Sequence, residues 1–466
     1  MSKLRIAVAG GGISGLSAGI FIRERYGDRA EFVIFERGAV PGGTIQVTRE
    51  TGYIADWGSN GFLDREPLTL EFIRHIGLSD KLYPSNQKSA KRFIFRDNRL
   101  WEISAKPQKF LTSGLLSLGG RLRCAGEYFG RPKRNDRDES IFDFGVRRIG
   151  REAAEMLIDP MVSGVFGGDS TALSLASCFP RMEQMERQYG SLTKAMLAKK
   201  KESKGKKPGG PAGPSGHLTS FTGGLYTLIE HLQTKLHDNL RTDSPVVSIT
   251  RNTDRTYTVQ TESSSETFDR VILAIPSYQA ADILADFHPE LAKQLYEIPY
   301  ADIAVICQGY KISTVGCPLD GFGFLVPHNQ GRDILGSIWT STIFPEQAPA
   351  GYVLFRTMVG GARRADLVAR NEASLNDLVH RELSSILAIT SEPVFRKVIR
   401  WQRAIPQYVI GHSGRLKRID DYLAGFDGLY LAGNAYIGVG LNDAIKRSYH
   451  IVTAMHERDR DKIKTA

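Results

Sequence analysis

An α/β fold, α+β over the whole chain, is predicted by three observations. The first residues read as strand, glycine-rich turn, helix, second strand; short apolar strands crowd the second half; a basic, helix-rich stretch lies between. Together they give a Rossmann-like nucleotide-binding domain, a β-sheet domain enclosing a substrate cavity, and a helical domain.

The N-terminal unit begins with the apolar run Leu4 to Ala9, the length of a buried strand. Gly10, Gly12 and Gly15 follow at G-x-G-x-x-G spacing, with Gly11, Ile13 and Ser14 between them. The first glycine permits a tight turn, the second a close approach to a pyrophosphate, and the third close packing of helix on strand. The free N–H groups and positive dipole end of that helix favour phosphate. A second strand, Glu31 to Phe35, ends at Glu36, followed by Arg37; an acidic group at this distance can accept hydrogen bonds from a ribose diol. Gly42, Gly43 and Thr44 then bring a second backbone segment to the ligand, and Asp56 to Gly61 (Asp-Trp-Gly-Ser-Asn-Gly) form a polar turn. This extended pattern resembles the flavoproteins with two dinucleotide-binding domains, the amine oxidase superfamily among them, and so implies FAD instead of NAD.

Strands return at Pro245 to Ile249, at Arg255 to Gln260, and at Val271 to Pro276, where an apolar strand can close the nucleotide-binding sheet before a helix at Tyr278 to Leu284. Residues 302–358 are β-rich, a helix is expected near Leu375 to Leu387, and the chain closes with a strand at Leu429 to Ala432, Gly433-Asn434, a loop, and a helix from about Leu441. The division expected is 1–85, 217–300 and 401–466 for the FAD-binding domain, 86–210 for a helical, membrane-facing domain, and 301–400 for the β-rich substrate domain. The Lys/Gly/Pro-rich stretch 199–216 reads as an exposed flexible insert.

A chain of 466 residues with 41% hydrophobic content suits two or three domains. Its cysteines, Cys124, Cys178, Cys307 and Cys317, form no C-x-x-C pair, which argues against a metal site or disulfide framework and for a reducing compartment. None lies near the C-terminal cofactor segment, so a thioether-linked flavin is not expected and the flavin should be non-covalent. There is no run of 18 apolar residues and no room for a cleavable signal before Leu4, so the expected location is cytoplasmic, peripheral on the membrane. The net charge is +10, and between Lys88 and Arg151 there are 16 Lys/Arg against 7 Asp/Glu. No nucleic-acid motif accompanies this excess, so carboxylates and anionic lipid are the expected partners, through apolar positions such as Phe110, Leu111, Leu115, Leu116 and Leu118. A homodimer is left open.

Seven further segments share one resemblance. They are Asp159 to Asp169 (DPMVSGVFGGD) with Leu173-Ser174 and Cys178-Phe179-Pro180; Ser220 to Leu225; Gly321 to Pro327; Phe344 to Gln347; Ala404 to Tyr408 with Gly411-His412; Leu431 to Asn434; and Asn442-Asp443. In this order they resemble the protoporphyrinogen/coproporphyrinogen oxidase family, over residues 4 to about 453. The resemblance implies that Gly10, Gly11, Gly12, Ile13, Ser14, Gly15, Glu36, Arg37, Gly43, Thr44, Gly58, Ser59, Asn60, Gly61, Val246, Asn434, Val439, Gly440 and Leu441 bind FAD. It implies that Arg92 anchors a substrate propionate while Phe322, Gly323, Leu325 and Met358 line the macrocycle. Asp56 stands where many relatives carry glutamate, so a contact there would pass through water.

The same resemblance implies an oxidase that removes six electrons from protoporphyrinogen IX in three two-electron turns on one flavin, with oxygen or another acceptor. No side-chain acid–base pair is identified, and positioning and water exclusion would carry the catalysis. The alternative substrate is coproporphyrinogen III. More distant alternatives are an oxidase of amines or carotenoid precursors and a non-enzymatic carrier on the same fold.

Overall fold

Along the first strand, Leu4–Ala9, Ile6 and Val8 alternate with Ala7 and Ala9, and all four are buried. A strand covered on both faces needs neighbours at both edges and a layer above and below. In the computed structural model, which describes residues 3–104, 113–133, 135–202 and 216–465, it lies at the centre of five parallel strands. Their order is Leu240–Arg241, Ala30–Phe35, Leu4–Ala9, Arg270–Leu273, Leu429–Leu431. Ile6 and Val8 pack beneath the helices Ile13–Tyr26 and Leu441–Thr465. Ala7 and Ala9 face the antiparallel strands Val246–Arg251, Tyr257–Thr261 and Ser265–Phe268 and the helices Ser277–Leu284 and Pro289–Tyr296.

The second sheet has seven strands in the order Phe395–Pro406, Tyr300–Lys311, Tyr352–Gly360, Gly336–Trp339, Gly321–Leu325, Lys91–Arg96, Arg99–Ile103. All pairings are antiparallel except that of Gly321–Leu325 with Lys91–Arg96. One face carries Ile306, Tyr310, Phe355 and Val359 and is covered by the helix Glu372–Leu387. The other carries Ile303, Val305, Leu354 and Ile399 and turns towards Tyr53 and Ala55, next to the nucleotide-binding layer.

Here the expected helical segment needs correction. Its start, Lys91–Ile103, is a β-hairpin on the edge of the seven-stranded sheet. Phe93 and Phe95 join the helix-covered core while Ile94 is buried on the opposite side, the period of two that a strand requires. Asp97 and Asn98 take φ of 52° and 56°, the left-handed pair of a type I′ turn. Helices follow from Leu118 onward, through Asp159–Phe166 to Leu192–Glu202. The first four positions of the Lys/Gly/Pro stretch close that last helix; 203–215 lie outside the described residues, as do Phe110 and Leu111. Leu115 and Leu116 are core, whereas Leu118, Leu122 and Phe129 are exposed.

Candidate cofactor and substrate site

The five parallel strands end on one edge, and the order of the sheet reverses beside the first strand, the position at which sheets of this kind bind ligands. A Cβ at Gly10 would lie 2.4 Å from the Ala274 carbonyl, and one at Gly15 would lie 1.9 Å from the Gly10 carbonyl. The protein itself fills the space at these two positions. Gly12 differs: its backbone is extended, and a Cβ there would meet only Gly43 Cα, at 4.0 Å. The Gly42 amide donates to the Gly11 carbonyl at 2.8 Å and draws the second glycine pair alongside the first. A gap thus remains between Gly12 and Gly43, at the start of a helix with no side-chain cap and no acidic residue in its first turn. The amides of Ile13, Ser14 and Gly15 belong to that turn. A diphosphate suits these free amides by charge, and the missing side chains of Gly12 and Gly43 let it approach the backbone.

Glu36 is held by backbone: Oε2 accepts from Gly11 N at 2.7 Å and Oε1 from Gly38 N at 2.8 Å. Each oxygen keeps a lone pair for a ribose hydroxyl. Ser244 N donates to the Glu36 carbonyl at 2.8 Å, which brings the strand starting at Val246 beside it, while Arg37 is exposed. Gly58 rests on the Thr44 carbonyl, where a Cβ would come within 2.4 Å, and Gly61 on that of Thr219, at 2.8 Å. Ser59 Oγ donates to the Gly61 carbonyl at 2.8 Å, and Asn60 is buried with its Nδ2 unpartnered among the described residues. At the fifth strand's end the Asn434 carbonyl accepts from the Tyr408 hydroxyl. Val439 packs against the cluster built on Phe144, Val162 and Phe166, and Leu441 joins the core under the first helix. The Gly440 amide is engaged by Asp443 Oδ2 at 3.3 Å, so part of this second helix start is already satisfied by its own carboxylate.

Asp56 joins three of the sequence segments directly, without an intervening water. Buried at 3% exposure, it accepts from Leu225 N at 3.1 Å and from Gln347 Nε2 at 2.8 Å, while Glu346 accepts from Gly223 N at 2.9 Å. Burial pushes the Asp56 carboxyl up to about 6, against the lowering effects of the Leu225 amide, Arg356 and Gln347. The unfolded chain therefore ionises before the folded one as pH rises. Asp56 accordingly costs the fold on the order of 3 kcal/mol once the pH exceeds about 6, and nothing below the ordinary carboxylate range. The melting difference, Asp56→Asn minus wild type, is expected to rise between pH 4 and pH 8; a pH-independent difference rejects the shifted carboxyl.

The candidate substrate wall is the face of the seven-stranded sheet turned towards the nucleotide-binding layer. Register places Arg92 beside Gly323, Ile94 beside Leu325, Gly323 beside Ile338, and Gly336 beside Met358. The irregularity between Gly321 and Gly323 puts the Phe322 ring with Ile338, and the Arg92 guanidinium lies 5.4 Å from that ring. Arg92 is half-buried, has no ion pair among the described residues, and is lowered from the usual guanidinium range by burial. Gly164 faces Leu325, with a Cβ there at 2.6 Å from Leu325 Cδ2, so the helix Asp159–Phe166 roofs the wall. That helix is anchored at Asp159, which binds Arg363 at 2.9 and 3.0 Å, Ser170 Oγ at 2.5 Å and His328 Nδ1 at 2.9 Å.

The sequence reading missed Arg356. It lies between Leu354 and Met358 on the inner face, is 6% exposed, and donates from Nη2 to the Gly58 carbonyl. Its signal was an arginine inside the otherwise apolar run Tyr-Val-Leu-Phe-Arg-Thr-Met-Val-Gly.

The model of the flavin-containing amine oxidoreductases matches residues 13–455, which decides the family. The chain belongs to the flavin-containing amine oxidoreductases. Among members of this family, it is 32% identical to a chloroplastic protoporphyrinogen oxidase of Oryza sativa subsp. japonica, over 95% of this chain and 86% of the relative. It is 28% identical to a coproporphyrinogen III oxidase of Bacillus subtilis, over 95% and 96%. A crystal structure assigned as a protoporphyrinogen oxidase of Exiguobacterium sp. 255-15 superposes with a TM-score of 0.85 at 26% identity, covering 98% of this chain and all of the other. The cradle, the Glu36 clamp and the sheet wall are thus parts of a flavin oxidoreductase.

Proposed function

We propose that this flavoprotein is an FAD-dependent oxidase that removes six electrons from protoporphyrinogen IX, passing them to dioxygen. The observation that carries the reading is Arg92, a half-buried cation without an anionic partner among the described residues, beside Phe322 and in register with Gly323. A propionate is the anion this arrangement suits, and the neighbouring Leu325 and Met358 suit a hydrophobic macrocycle. Gly12 and Gly43 would hold the diphosphate of FAD, Glu36 its ribose, and the segments 58–61 and 434–441 its ring system. FAD held there would supply a two-electron hydride acceptor, used three times to account for the six electrons. The chain's residues orient the macrocycle and exclude water; no side chain is assigned as an acid or base.

The four thiols are all raised by burial, Cys178 and Cys307 to about 12, which favours non-covalent FAD because a thiolate is the form that would attach to it. Coproporphyrinogen III, with four propionates in place of two, is the second reading, since relatives of both names align over 95% of the chain. The purified protein is expected to be yellow and to release intact FAD on denaturation. Porphyrinogen prepared without oxygen should turn into fluorescent porphyrin when oxygen is admitted, faster than without enzyme; turnover of both compounds, side by side, selects the substrate. Oxidation of an amine and of neither porphyrinogen would overturn the reading.

A peripheral lipid contact belongs to the same proposal, at a corrected place. Leu118, Leu122 and Phe129 are 66%, 65% and 81% exposed on the successive helices Leu118–Ala125 and Gly126–Phe129, and no described helix is long and apolar enough to cross a membrane. Much of the basic excess is committed inside the protein, as Arg147 and Arg148 are to Glu139, Glu127 and Glu186. Binding to vesicles should rise with anionic lipid, weaken with salt, and fall in Phe129→Asp. Absence of sedimentation at any lipid composition rejects it.

A further inference from the structure

We infer that Arg356 is the positive charge that biases the bound flavin towards its reduced state. Two arginines are buried among the described residues. Arg148 has carboxylates on both sides, Glu127 and Glu186. Arg356 has none within ion-pair distance among the described residues: its Nη2 donates to the Gly58 carbonyl, and its Nε is buried without a partner among them. Asp56, the acidic group whose charge reaches it, has its oxygens bonded to Leu225 N and Gln347 Nε2. A buried guanidinium in this state is costly to a fold and calls for a ligand or a function.

Its place in the fold supplies one. The strand Tyr352–Gly360 pairs Arg356 with Ile338 and Met358 with Gly336, so Arg356 shares the inner face with the proposed macrocycle wall. The bond to Gly58 ties it to the segment 58–61, where Asn60 Nδ2 is a second buried donor without a partner. A buried cation with no ion-pair partner among the described residues is thus tied to the proposed flavin-binding segment, which holds a second buried donor without a partner; Asp56 acts on it only from beyond ion-pair distance. A two-electron reduction adds negative charge to the flavin ring, and a cation held in low dielectric nearby stabilises the reduced form more than the oxidised one. Nothing at this position is an acid or base; the effect is electrostatic.

The inference rests on the flavin reading above but not on the identity of the substrate, so it is tested without substrate. The flavin's midpoint potential is measured by dye-equilibrated anaerobic titration in wild type, Arg356→Met, Arg356→Gln and Arg356→Lys, each with its FAD content determined. In the two neutral variants the equilibrium constant for reduction is expected to fall about tenfold or more, about 30 mV for a two-electron couple. Arg356→Lys, which keeps the charge, should stay near wild type. A wild type without flavin would refute the flavin reading itself. Flavin-loaded neutral variants with an unchanged potential would overturn the inference and leave Arg356 as a clamp on Gly58. Loss of flavin from both neutral variants, with retention by Arg356→Lys, would also overturn it, by placing the charge in cofactor binding.

Discussion

Gly12→Val is expected to give a folded, colourless protein. The backbone at Gly12 has φ −77° and ψ 178°, open to any L-residue, and the protein leaves the Cβ direction empty out to Gly43 Cα at 4.0 Å. The valine branches would fill the proposed diphosphate cradle and leave the core untouched. FAD affinity should fall by at least about a hundredfold, roughly 3 kcal/mol, while the melting temperature of the flavin-free protein stays close to that of wild-type apoprotein. Gly15→Ala is the contrasting case, because its methyl group would sit 1.9 Å from the Gly10 carbonyl and must break the turn itself. Stoichiometric flavin in Gly12→Val would move the diphosphate elsewhere.

Arg92→Ala is expected to raise the Michaelis constant for porphyrinogen with FAD content unchanged. Loss of a charge-assisted hydrogen bond to a carboxylate is worth roughly 1.5–3 kcal/mol, about ten- to a hundredfold. Since Arg92 has no ion pair among the described residues and is half-buried, removing it should not lower the melting temperature. Arg92→Lys should fall between the two, keeping the charge and losing the planar fork that binds both carboxylate oxygens. An unchanged Michaelis constant in Arg92→Ala would return this arginine to an ordinary surface role.

The N-terminal unit was legible almost residue by residue, because its glycine spacing and the strands and helix that flank it are set within one short stretch of chain. The hairpin Lys91–Ile103 was not, although its signals were present: alternation of Arg92 and Ile94 with Phe93 and Phe95, and Asp97-Asn98 between the strands. A high local content of lysine and arginine masked a period of two. Leu115 and Leu116 looked like members of the same exposed stripe as Leu118, yet they are core. Periodicity marks which residues are apolar, whereas burial depends on what packs over them.

The sequence alone determined the unit of strand, glycine turn, helix and second strand and the acidic group at Glu36, since these follow from short-range geometry and from fixed spacings along the chain. Only the tertiary structure decided what fills the space at the fingerprint glycines, with Gly10 against the Ala274 carbonyl and Gly12 facing Gly43, because both neighbours arrive from other segments. It decided that Asp56 is sealed by Leu225 and Gln347, 169 and 291 positions away. It also decided that Arg356 is buried beside Gly58, 298 positions away, with no carboxylate at ion-pair distance among the described residues. Burial and electrostatic pairing are properties of what surrounds a group, and for these residues the surroundings come from distant parts of the chain.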